Sequence, residues 1–233
     1  MDLGIVAYHF ESYEDLSQHH DCRYAFDVEN SVGLLSRRFE SLNLVGDLLW
    51  PEPFPTNFQD FPISRYNWVN IAADVFLMRY ISIVDCLLLV CNEVYEIGFT
   101  PKNCTFTKLK TQLPASIIVT IQDLYNSQTQ LRKERNSRVH HGLERAFTDD
   151  DQTFRMASRI EEISGRVQGT DQFGREIDLD RSFKEALVEL QRDFNKECRK
   201  LIRQLNNAYD ELHREFEDRF IPRIRASTHG LNS

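Results

Sequence analysis

Along most of this chain apolar residues recur every third or fourth position, a spacing that predicts helices rather than strands. From Val28 to Trp50, Val32, Leu35, Phe39, Leu42 and Val45 fall on one side of a helix. Pro51, Pro53, Pro55 and Pro62 forbid its continuation, and Phe54, Phe58 and Phe61 suit a structured Pro-rich connection over 51–63 that packs back onto the helices. A second helix is expected from about Ser64 to Gly98, apolar around most of its circumference, as in a central helix covered on several faces. After a turn near Pro101 to Cys104, a third helical region starts around Ala115 and continues through Ile118, Ile121, Leu124, Tyr125 and Leu131 until Gly142 stops or breaks it. Thr148 followed by Asp149, Asp150 and Asp151 reads as an N-cap with an acidic first turn, opening a helix to about Arg166. Gly165, Gly169 and Gly174 mark an irregular loop over 167–179. The strongest periodicity comes last: Phe183, Leu187, Leu190, Phe194, Cys198, Leu201, Leu205, Ala208, Leu212 and Phe216 form one seam. A helix of some forty residues would span about 60 Å, which predicts a kink near Asn206-Asn207 or packing against a second subunit. The expected architecture is a single all-α domain over 1–233, a bundle of long helices with an N-terminal extension (1–27) and a long C-terminal helix.

Composition adjusts this picture in three places. With 233 residues, 41% hydrophobic and 11% aromatic, the chain can bury a sizeable core, so disorder is not expected. The net charge of −8 excludes a generally basic nucleic-acid coat, yet between Leu131 and Arg145 the sign reverses. There Arg132, Lys133, Arg135, Arg138 and Arg145 outnumber Glu134 and Glu144, a local surplus of +3. Five cysteines without a CxxC pair indicate neither a disulfide framework nor a zinc ribbon, and predict reduced, mostly buried thiols in a cytoplasmic protein. His19, His20 and Cys22 lie close together, but no fourth metal ligand is evident in the sequence, and an ordinary surface turn is the expectation. No metal or cofactor is expected elsewhere. Met1-Asp2-Leu3-Gly4 has no basic start or long apolar core, and the apolar stretch from Val69 to Val94 is interrupted by Asp74, Arg79, Asp85 and Glu93, so neither a signal peptide nor a membrane span is expected.

The local positive stretch contains Arg135-Asn136-Ser137-Arg138-Val139-His140. An arginine followed by a histidine after four to six residues occurs about twice by chance in such a chain, and Arg223 with His229 satisfies that loose form. Requiring Asn after the Arg and His four further on lowers the expectation to roughly 0.04. No Gly-rich phosphate loop, nucleophile elbow or paired-His metal motif competes with it. Arginine, carboxamide and imidazole suffice for phosphodiester cleavage without a metal. A histidine, with an ordinary pKa near ~6.5, can take the proton from an RNA 2′-hydroxyl. Arginine's planar fork can clamp the non-bridging oxygens as negative charge builds, which lysine does less well. Asn136 would orient His140 or contact the phosphate. Arg132, Lys133, Arg138 and His141 are candidate RNA-phosphate contacts, although charged residues on a helix face are as often merely solvated.

This element, following a long helix in an all-α chain, resembles the signature of the HEPN superfamily, the higher eukaryote and prokaryote nucleotide-binding domains. Arg135, Asn136 and His140 match the family's arginine, the polar residue after it, and its histidine. The resemblance implies a four- or five-helix bundle, a homodimer, and in many members a metal-independent endoribonuclease whose Arg and His lie beside the dimer interface. It also brings a setting, a toxin or defence ribonuclease restrained by an antitoxin or a nucleotidyltransferase. In some members the latter modifies a tyrosine just after the motif histidine. Here Gly142 and Leu143 occupy that stretch and neither can accept an adenylyl group.

Helical geometry sets a condition on catalysis. Residues four apart are rotated by about 40° and residues five apart by about 140°. Asn136 and His140 therefore share a face that Arg135 does not. Either the helix breaks near the motif or a two-fold dimer brings two motifs together. The other reading is a non-catalytic helical dimer that binds RNA, a nucleotide or a protein, with Arg135 in a salt bridge, Asn136 as a helix cap and His140 as an interface residue.

Overall fold

The computed structural model describes residues 4–55, 57–59, 61–227 and 229, and among these no strand forms; a lone antiparallel bridge joins Thr170 to Glu176. The class is all-α, and no described helix is long and apolar enough to cross a membrane. Two compact units can be distinguished, one formed by Met1–Phe39, Ser82–Gln128 and Leu201–Ser233, the other by Glu40–Ile81 and Thr129–Lys200.

In the first unit the chain is helical well before Val28. Helices α1 (Gly4–His9) and α2 (Tyr13–Ser17) precede α3 (His20–Asn43). Ser12 caps α2 by accepting from the Asp15 N–H at 3.1 Å. Cys22, Ala25, Val28 and Leu35 are buried and continue the α3 seam upstream of its expected start. The later part of α5 (Arg65–Val94) belongs here too, ending where Glu96 takes a left-handed conformation, φ 53°. Buried Asn92 closes the following loop, donating to Phe99 O at 3.0 Å and accepting from Phe99 N at 2.9 Å. Arg223 grips the Glu96 carboxylate through two nitrogens, at 3.0 and 2.6 Å, which holds that carboxyl below its ordinary range. A 3-10 turn (Pro101–Asn103) and the short α6 (Phe106–Leu109) lead to α7 (Ala115–Ser127), whose Ile117, Ile121 and Leu124 are buried. The end of α10 (Leu179–Arg225) completes the unit, Phe216 stacking on Tyr24 with ring centroids 5.4 Å apart.

The second unit begins with the end of α3 and the short α4 (Val45–Leu49). The Pro-rich connection is fixed by its aromatics: Phe58 is buried, its ring 5.2 Å from that of Phe183 and 5.5 Å from that of Phe61, which in turn tilts against Trp68 at 5.3 Å. The unit also holds the start of α5, then α8 (Thr129–His141), α9 (Asp151–Ser164) and the first part of α10. Asp150, not Thr148, caps α9, its Oδ1 accepting from Thr153 N at 3.1 Å. The cap moves because Asp151 Oδ1 reaches back to the N–H groups of Phe147 and Thr148, at 2.8 and 3.3 Å, and fixes those residues outside the helix. Gly165, at φ 70°, ends α9. Helix α10 runs unbroken for 47 residues, about 70 Å at 1.5 Å per residue, and passes through Asn206-Asn207 as helix. Pro222 falls in its last turns.

Candidate functional site

Where one helix was expected from Ala115 through the motif, α7 ends at Ser127 and α8 starts at Thr129, so the motif occupies a short helix of its own. The hexapeptide lies wholly within α8 and its helix is unbroken, so the break near the motif that would bring Arg135 and His140 to one side is not present within it. Leu131 and Val139 are the only apolar residues of α8, and a helix polar all round has no stripe with which to dock. Arg138, its one buried residue, anchors it instead. The Arg138 Nε donates to Asp74 Oδ1 at 2.6 Å, and its Nη2 donates to Asn70 O at 3.2 Å and Asn70 Oδ1 at 3.0 Å. Phe147 lies 5.9 Å from the guanidinium carbon. The arginine expected at an RNA surface is thus an internal strut, because α5 offers it a carboxylate and an amide four residues apart.

With Arg138 fixing the inward direction, the 100° step per residue orients the rest of α8. Asn136 and His140 lie about 160° to either side of Arg138, facing away from the buried side, and both are exposed. Lys133 and His141 are also exposed, while Arg132 and Arg135 are half-buried. Arg135 lies about 60° from Arg138, toward the buried side, and about 140° from His140. Its Nε is buried and has no hydrogen-bond partner among the described residues, so part of its donor fork is uncommitted. Val139 and Leu143 are exposed apolar residues beside Asn136 and His140.

The end of the motif helix is fixed tightly. Gly142, at φ 62°, donates to Arg138 O at 3.2 Å, and Leu143 N donates to Ser137 O at 3.2 Å. Just beyond, the Glu144 carboxylate accepts from the Tyr66 hydroxyl at 2.9 Å, with Asp151 Oδ2 3.2 Å from the same oxygen. Burial pushes the Tyr66 phenol up to about 12, so it stays a neutral donor between the two carboxylates. Arg145 Nη1 donates to Asp193 Oδ2 at 2.5 Å, and its Nε lies 3.5 Å from Glu134 Oε1. The positive stretch therefore divides. Arg138 and Arg145 are matched internally, and Lys133 stands exposed on the outward face.

Asn70, Asp74 and Tyr66 are the positioning residues that the linear pattern did not reveal. Their signal was faint: two polar residues at i and i+4 inside the apolar α5, aligned on one face and needing a buried partner.

The family model described as HEPN_Cthe2314-like HEPN matches residues 17–213, which includes the motif, α3 to α9 and most of α10. No curated protein and no solved structure matches the chain. The match extends over most of the chain, and the helical content and the motif agree with it: the chain belongs to the HEPN superfamily.

Proposed function

We propose that the protein is a metal-independent endoribonuclease whose active site is completed by a second copy of the chain. The observation that carries this reading is the outward face of α8, where Asn136 and His140 stand exposed opposite the buried Arg138 anchor, with exposed Val139 and Leu143 beside them. Apolar side chains left in water next to exposed polar chemistry suit a contact made with a like surface. A two-fold axis through this face sets two motifs against each other and removes the angular conflict between Arg135 and His140.

In the reaction His140 takes the proton of an RNA 2′-hydroxyl, whose oxygen bonds to the adjacent phosphorus. The bond from phosphorus to the 5′-oxygen breaks, and the partner subunit's His140 protonates that oxygen. Arg135 holds the non-bridging oxygens, Asn136 orients the imidazole, and Arg132, Lys133 and His141 contact flanking phosphates. Arg138 keeps α8 seated and does not touch RNA. A toxin or defence role under a protein antitoxin fits this chemistry.

Purified protein incubated with structured and unstructured RNA in EDTA is expected to release fragments with 2′,3′-cyclic phosphate and 5′-hydroxyl ends. Retention of RNA without cleavage defeats the enzymatic reading and favours the non-catalytic module. Val139→Glu is expected to convert the dimer to monomer in light scattering and to abolish cleavage with it. A monomeric wild-type protein that still cleaves would overturn the shared site.

A further inference from the structure

The cysteine and histidines near the start of α3 meet residues far away in sequence. Cys22 is fully buried and Asp21 nearly so, as the first residues inside α3. His229, beyond the end of α10, brings its Nε2 to 2.6 Å from Asp21 Oδ2 and 3.2 Å from Cys22 Sγ. The His229 side chain is only 3% exposed. An ordinary surface turn at 19–22 does not account for a thiol, a carboxylate and an imidazole drawn together inside the fold from opposite ends of the chain.

The geometry also separates two kinds of chemistry. In a nucleophilic relay the carboxylate and the thiol would engage different ring nitrogens of the histidine. Here both face the same nitrogen, and the three donor atoms lie within 4.8 Å of one another. Around a tetrahedral ion with bonds of about 2.0–2.3 Å, ligand atoms stand roughly 3.3–3.7 Å apart. The sulfur-to-nitrogen separation is already near that value, and the oxygen-to-nitrogen separation would open by less than about 1 Å.

We propose that Asp21, Cys22 and His229 form a zinc site. One sulfur, one nitrogen and one oxygen donor suit a borderline ion that favours four ligands, and suit magnesium or calcium poorly. Two further imidazoles stand around His229. The His19 ring centroid is 5.3 Å from its own, and His9 Nε2 lies 3.0 Å from the His229 carbonyl oxygen. His20 is not part of the set, since its Nε2 faces Glu96 Oε1 at 3.3 Å. On binding, Cys22 gives its proton to solvent and enters as thiolate. The site lies within the first unit and the α8 motif within the second.

The full chain, stripped of metal and shown to be folded by circular dichroism, is titrated with Co(II) alone. The expected result is one Co(II) per chain, with the intense near-ultraviolet thiolate-to-cobalt band and the visible bands of a tetrahedral ion, both erased by zinc. Cys22→Ser loses the near-ultraviolet band, His229→Ala loses tight binding, and Cys198→Ser changes neither. Zinc also protects Cys22 from iodoacetamide in wild-type protein, read by peptide mass, which keeps the test open if a variant fails to fold. Absence of the bands in folded wild-type protein, or their persistence in Cys22→Ser, would overturn the site and leave a hydrogen-bonded cluster that ties His229 to α3.

Discussion

Arg65→Ala is expected to lower the unfolding free energy, measured in urea, by about 3–5 kcal/mol, the range for breaking a buried ion pair. Arg65 opens α5 with a side chain only 4% exposed. Its Nε donates to Glu161 Oε2 at 2.8 Å and its Nη2 to Glu161 Oε1 at 3.1 Å, the bidentate match of guanidinium to carboxylate. The guanidinium carbon also lies 4.3 Å from the centre of the Phe58 ring. Truncation leaves the Glu161 carboxylate, itself mostly covered, without its counter-ion, and removes the cation from a ring that is already buried. The contact to Asp180 contributes little by comparison. Nη1 approaches Asp180 Oδ1 at 2.7 Å but without hydrogen-bond geometry, and the Asp180 side chain is largely in solvent. The double variant Arg65→Met with Glu161→Met is expected to recover most of the loss, because a matched apolar pair carries no desolvation cost. A single-variant loss below about 1 kcal/mol would place Arg65 among ordinary surface pairs.

This node shows where the linear pattern stops being informative. The long C-terminal seam was legible because every third or fourth residue repeats one instruction, and α10 extends it at both ends, from Leu179 to Arg225, with Asp178 Oδ1 accepting from Arg181 N at 3.0 Å beside its start. The start of α3 was less legible, since Cys22 and Ala25 carry the seam among polar and histidine neighbours that read as a turn. The division between α7 and α8 falls at Gln128, a residue that punctuates nothing by type, so a continuous helix was the natural expectation. The motif itself was fully visible, because its information is a spacing within six residues. Its support was not. Asp74 and Asn70 lie 64 and 68 residues before Arg138, and only the fold turns three polar residues into one buried anchor. For the same reason a charge count over 131–145 overstated the positive surface, since Asp74 and Asp193 come from other helices to neutralise two of its arginines.

His140→Ala is expected to reduce RNA cleavage by about 10²–10⁴-fold, the usual worth of a positioned general acid or base, and to more than that if one variant dimer loses both its acid and its base. Stability should change by no more than about 0.5 kcal/mol, because the side chain is exposed on the face of α8 opposite the anchor. That combination, chemistry lost and fold kept, separates a reacting imidazole from an interface histidine, whose removal would weaken the dimer and spare the rate of the dimer that remains. Arg135→Lys serves as the companion: a retained charge with a lost planar fork should fail to restore cleavage if the arginine clamps the phosphate, and should restore it if the residue only supplies positive charge. Arg138→Met marks the contrasting outcome, since unseating α8 from Asp74 and Asn70 lowers the melting temperature and the cleavage rate together. Undiminished cleavage by a nuclease-free His140→Ala preparation would remove His140 from the reaction and, with it, the case for the composite site.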